Sequence, residues 1–145
     1  MVYLDYHKSY IELDKAKGRY YKISNKIENL RQLVDVLSSK YDTLKVDGSK
    51  INDSIDEYCA TIALLTDKEK DAYRVIGRKQ RIVDNLLEDL KISKHLQDKI
   101  YYMKYILEKD TQSIASSINY GLSRTYDYLK MIEKEIKIIE QTYKK

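Results

Sequence analysis

Few residues in this sequence have the types and spacing that covalent or metal chemistry requires. His7 and His95 stand far apart with no ligand-spaced partner, Cys59 is the single cysteine, and neither a phosphate-cradling glycine loop nor an HExxH pattern occurs. Adjacent acids such as Glu69 and Asp71 read as solvated helix faces. No enzymatic activity is expected, and no cofactor or metal. A different chemistry, the non-covalent reading of duplex DNA, is within reach of residues 112–134. On a helix beginning near Gly121, Leu122, Ser123, Arg124, Tyr126, Asp127, Lys130 and Lys134 lie on or beside one outward face. An arginine there can address a guanine edge and a lysine a phosphate, while Gln112, at the start of the preceding helix, is placed to meet the backbone.

That face needs two helices to hold it. Residues 114–130 carry the pattern of a helix-turn-helix, in which a short helix crosses a second one closely and needs a small residue at the crossing with apolar residues to either side. Ala115 is the small residue, flanked by Ile114 and Ile118. Asn119 suits a turn that demands positive φ, since its short polar side chain tolerates the left-handed region. Tyr120 then closes the turn, Gly121 starts the second helix, and Thr125 and Tyr128, three apart, face inward. The same residues also fit an ordinary helical hairpin whose small residue merely permits close packing.

The remaining residues place this pair at the end of a long helical chain. The 145 residues include no proline, and 43% are apolar and 34% charged, a balance typical of helical bundles with solvated outer faces. The net charge is only +4, so a general positive field does not announce nucleic acid, although residues 93–145 hold ten basic and seven acidic side chains. One cysteine excludes an internal disulfide and suits a reducing compartment; Cys59 is expected as a small core residue. No apolar run approaches the roughly 20 residues that span a bilayer, and nothing resembles a signal peptide, so a cytoplasmic protein without membrane contact is expected. The fifteen tyrosines, beside no Phe or Trp, are expected to be mostly structural, with buried rings and wetted hydroxyls.

From Tyr6 to Tyr41 apolar residues recur at steps of three and four, a heptad-like stripe, and a second stripe runs from Ile51 to Leu90 with Glu69 and Lys79 at seam positions. Between them residues 42–49 form a breaker cluster containing a glycine, with Ser49 as the cap of the second helix. Gly77 lies inside that helix and marks a bend or a close contact. The stripe stops near Ser93, where a third helix is expected to begin at Lys94. Leu96, Ile100, Met103 and Ile106 or Leu107 form its apolar face, and Asp110 or Thr111 caps the next helix. The expected fold is therefore all-α. A long antiparallel coiled-coil hairpin over 1–92, with helices at about 2–40 and 50–91, precedes a small helix-turn-helix domain over 93–145.

The stretch from Ile100 to Ala115, with Ile118-Asn-Tyr-Gly and Ser123-Arg-Thr-Tyr126, resembles the C-terminal part of phage and prophage transcriptional regulators of the ArpU/RinA-like group. These in turn resemble the fourth region of sigma factors. The family pattern is Ile-Ala-x-x-Leu-Gly-Tyr-Ser, matched here through Ile114, Ala115, Ile118, Asn119, Tyr120 and Gly121. Asn119 stands for the turn glycine, Gly121 for the capping serine, and Asp127 for a position often basic. The resemblance implies a late-gene activator-like regulator in a bacterial host cell that binds double-stranded DNA in sequence-specific fashion, with a sigma-70 region 4-like domain. Its coiled-coil part would serve self-association, a dimer being favoured, or docking on RNA polymerase. Two alternatives stand beside it: a small terminase subunit, which joins the same motif to oligomerising helices, and a helical adaptor that does not bind DNA.

Overall fold

The computed structural model describes residues 1–44 and 49–144, with side chains placed for 1–40 and 51–144. The described residues form helices and turns with no strand. The order is α1 (Val2–Leu44), α2 (Ser49–Ile92), α3 (Leu96–Tyr101), α4 (Thr111–Ile118) and α5 (Leu122–Tyr143), with a π-turn over Tyr102–Ile106 after α3. A chain without proline, with apolar residues at steps of three and four, has nothing to interrupt the two long helices. Of the predicted 42–49 loop, residues 42–44 continue α1 and Ser49 is already the first residue of α2 rather than a cap ahead of it, while 45–48 lie outside the described residues. No described helix is long and apolar enough to cross a membrane.

Contacts divide the chain into two units, Lys15–Gly77 and the combination of Met1–Asp14 with Arg78–Lys145. In the first, here the middle unit, α1 and α2 run antiparallel. The rings of Tyr20 and Tyr73 lie 5.9 Å apart, and Ser24 Oγ donates to Glu69 Oε2 at 2.6 Å. Four residues forward on α1 thus match four residues back on α2. Glu69, a polar interruption in the apolar stripe, is satisfied by this bond across the pair. The seam is thinly covered: Ala16 and Ile27 are buried, whereas Ile23, Leu30, Val34, Ile55, Tyr58, Ile62 and Leu65 stay half-exposed. Cys59, expected in the core, is exposed instead, because it follows Tyr58 directly and so points a quarter-turn away from the seam. At Gly18 and Gly77 an added methyl would meet nothing within 4 Å, so the close contact considered for Gly77 is absent.

The second unit, here the terminal unit, has a core built around Leu90, Ile100, Ile114 and Ile132, with Tyr3 buried among the same elements. Its organising polar group is Asp98, which is fully buried. Its carboxylate accepts from the amides of Val2 at 3.0 Å and Tyr3 at 2.9 Å, and from Ser93 Oγ at 2.6 Å. The first amides of a helix have no partner within it, and a carboxylate there also meets the positive end of the helix dipole. Asp98 therefore caps α1 from nearly one hundred residues away. This redefines Ser93: its hydroxyl donates to Asp98 and accepts from the His95 amide at 3.3 Å, and α3 starts at Leu96 behind His95 rather than at Lys94. Lys79, the other polar residue in the second stripe, lies 3.4 Å from Glu12, whose second oxygen accepts from the Tyr143 hydroxyl at 2.7 Å.

Candidate nucleic-acid interface

The α4–α5 pair begins with a cap. Asp110 is extended and accepts from the Ser113 amide at 2.7 Å, which satisfies one orphan donor of α4 and holds the Asp110 carboxyl below its ordinary range. Along α4 the apolar side chains face inward: Ile114 is inaccessible and Ala115 buried, while Gln112, Ser113, Ser116 and Ser117 are exposed. Asn119 ends the helix in the left-handed region at φ 58°, ψ 38°, and the next amide, that of Tyr120, returns to the Ala115 carbonyl at 3.1 Å. A three-residue turn then leads into α5. The conformation expected of Asn119 is the one it adopts.

Gly121 occupies the N-cap of α5 in extended conformation, with no side chain to bond the first amides. Thr125, one turn on, is fully buried, its amide and hydroxyl both donate to the Gly121 carbonyl at 3.0 and 2.9 Å, and its methyl is left for the core. Further along, Ile132, Ile136 and Ile139 are buried, so α5 is anchored well beyond the turn.

This anchoring leaves the opposite face open. Leu122, Ser123, Arg124, Tyr126, Asp127, Lys130 and Lys134 are all exposed, as is Gln112 on α4. Ser123, Tyr126, Asp127, Lys130 and Lys134 follow helical spacing, and Leu122 to Lys134 spans about 18 Å at 1.5 Å per residue. Arg124 is held in a way the sequence did not indicate. Its guanidinium lies 5.3 Å from the Tyr120 ring centroid, and Tyr120 in turn lies 6.0 Å from Tyr128. Among the described residues it makes no ion pair with Asp127. A tyrosine in the turn thus supports the arginine through a cation–π contact while its fork remains exposed.

A second cluster in the terminal unit was not anticipated either. Tyr101 is buried, its hydroxyl lies 3.0 Å from His7 Nδ1, and His7 Nε2 lies 3.4 Å from Glu140 Oε1 on α5. The π-turn follows directly. The Leu107 amide donates to the Tyr102 carbonyl at 3.0 Å, and Glu108 takes a left-handed φ of 55° to end it. Tyr6, Tyr10, Tyr101 and Tyr105 line a cleft of about 360 Å³ with His7 and Ile106. Burial pushes the Tyr101 hydroxyl well above its ordinary pKa, so it stays protonated and available to donate. The cluster joins α1, α3 and α5; the residue types were visible in sequence, but nothing local paired position 7 with 101 or 140. Comparison of the chain with protein-family models, curated proteins and solved structures gives no match.

Proposed function

We propose that the chain is a sequence-specific DNA-binding protein that reads duplex DNA with the first turns of α5, as a regulator of phage or prophage transcription. The supporting observation is the α4–turn–α5 geometry itself: a buried crossing at Ile114, Ala115 and Thr125, a left-handed Asn119, and an outward face carrying Ser123, Arg124, Tyr126, Asp127 and Lys130. A helix so anchored on one side presents the other to a groove. Arg124, supported by Tyr120, addresses a guanine edge, and Lys130, Lys134 and Gln112 meet phosphates. Asp127 opposes phosphate contact and fits the amino group of a cytosine instead. The resemblance to ArpU/RinA-like regulators supplies the transcriptional role and the prospect of polymerase as a partner.

Selection of bound duplexes from random DNA, followed by variants, tests this. Arg124→Ala is expected to lose about 1–3 kcal/mol of specific binding and to relax preference at one base pair. Lys130→Ala should weaken all duplexes alike and lower the salt slope by about one. A folded Ser123→Ala, Arg124→Ala double variant with unchanged affinity and preference would show that this helix does not read DNA.

A further inference from the structure

The middle unit has too little core for the length of its helices, and its exposed large aliphatic side chains gather on one flank, opposite the exposed Tyr21 and Tyr73. Leu33 and Val36 on α1 are 45% and 52% exposed, and Leu64 on α2 is 66% exposed. Leu30, Leu33 and Val36 are separated by three-residue steps, each a rotation of about 60° away from the seam. Tyr58, Thr61 and Leu64 repeat those steps on α2. Because the helices are antiparallel, the same sense of rotation carries both series to the same side. The register set by Tyr20 against Tyr73 and Ser24 against Glu69 also brings the two series to the same level. The result is one apolar patch shared by two helices.

Charge identifies what covers it. Residues 15–40 of α1 carry seven basic and two acidic side chains, and residues 51–77 of α2 carry three basic and six acidic. We propose that a second copy of this chain covers the patch through a twofold axis parallel to the helices, so that the basic α1 of each copy lies along the acidic α2 of the other. The alternative twofold, across the helices, would set α1 on α1 and α2 on α2, like charge on like. Two helices about 40 Å long and about 20 Å wide together offer on the order of 800 Å² per copy, the size of a standard interface. Lys26 and Lys68 fall on this flank below the patch, where long stems can lie along apolar surface with their ammonium groups in water. The arrangement also pairs specific charges. Lys22 is midway between Tyr20 and Ser24, Asp71 midway between Tyr73 and Glu69, and both lie at the outer edge of the flank. Lys22 of one copy therefore stands at the level of the partner's Asp71; within one copy the Asp71 carboxylate meets Arg74 at 3.2 Å and is still largely exposed. This inference does not depend on DNA binding, which concerns the other unit.

Sedimentation equilibrium of the full chain, under reducing conditions because Cys59 is exposed, tests it. The wild type is expected to be a dimer at micromolar concentration. Leu33→Lys with Leu64→Lys, at positions already open to solvent in one copy, should raise the dissociation constant by about a hundredfold or more, since it buries unpaired charge at the interface. Lys22→Glu and Asp71→Lys should each weaken association severalfold, and the two together should restore it. A wild-type monomer throughout the range, a larger ring, or a leucine double variant that still dimerises would overturn the proposal. So would a charge swap that fails to restore association, and this arm needs no core substitution.

Discussion

Asp98 is the residue on which the terminal unit turns. It is a charged group without solvent access, and three donors converge on it. Asp98→Ala would orphan two helix-terminal amides and the Ser93 hydroxyl together, at an expected cost of about 2–4 kcal/mol, whereas Asp98→Asn keeps an acceptor and should cost less. Urea melts followed by helicity give the values, and an alanine variant as stable as the wild type would refute this role. Glu12 provides a pH dependence. The Tyr143 hydroxyl first, and Lys79 second, hold its carboxyl below the ordinary value of 4.5. A lowered folded-state value means that its stabilisation is fully present above the unfolded value and is lost as pH falls through the folded one. Asp110, lowered by the Ser113 amide, acts in the same direction. Acid melts should therefore lose stability below about pH 4.5, and Glu12→Gln should make that acid limb shallower, modestly because Glu12 is partly exposed.

At the scale of elements, periodic signals were legible and long-range ones were not. The two apolar stripes announced α1 and α2 to within a few residues, and Ala115, Asn119 and Asp110 announced α4 and its turn, because each of these signals is local. The start of α3 lies two residues beyond the one Ser93 suggests in sequence, because the Ser93 oxygen meets the His95 amide while its proton goes to Asp98, a partner only the fold reveals. The stack of Arg124 on Tyr120 and the link from His7 to Tyr101 and Glu140 depend on how the helices fold together, which spacing does not encode. Glu108 had no signal at all, being a non-glycine residue in the left-handed region. Two predictions belong here. Gly18→Ala and Gly77→Ala sit in helix interiors with open space for the methyl, and each should stabilise by about 0.5–1 kcal/mol. Glu108→Gly should relieve the left-handed strain and raise the melting temperature; a decrease would mean that the glutamate side chain does more there than end the π-turn.

For the whole molecule, the distribution of buried residues predicts two different stabilities in one chain. The terminal unit holds most of the fully buried side chains, among them Tyr3, Leu90, Ile100, Ile114 and Ile132, whereas the middle unit buries only Ala16 and Ile27 among its described apolar residues. Helices within a protein owe most of their stability to packing of the apolar face, so α1 and α2 should open most readily where that face is half-covered. Native-state hydrogen exchange should accordingly show strong protection in α4, α5 and the end of α2, and weaker protection across 15–40 and 51–77. If a second copy covers the open flank, protection in the middle unit alone should rise with protein concentration, because association adds stability by mass action. The Leu33→Lys, Leu64→Lys variant should lose that concentration dependence while leaving α4 and α5 unchanged, along with their affinity for a single DNA site. Uniform protection at every concentration would mean that the long helices support themselves. Protection that rose in the terminal unit instead would move the partner to the face of α5.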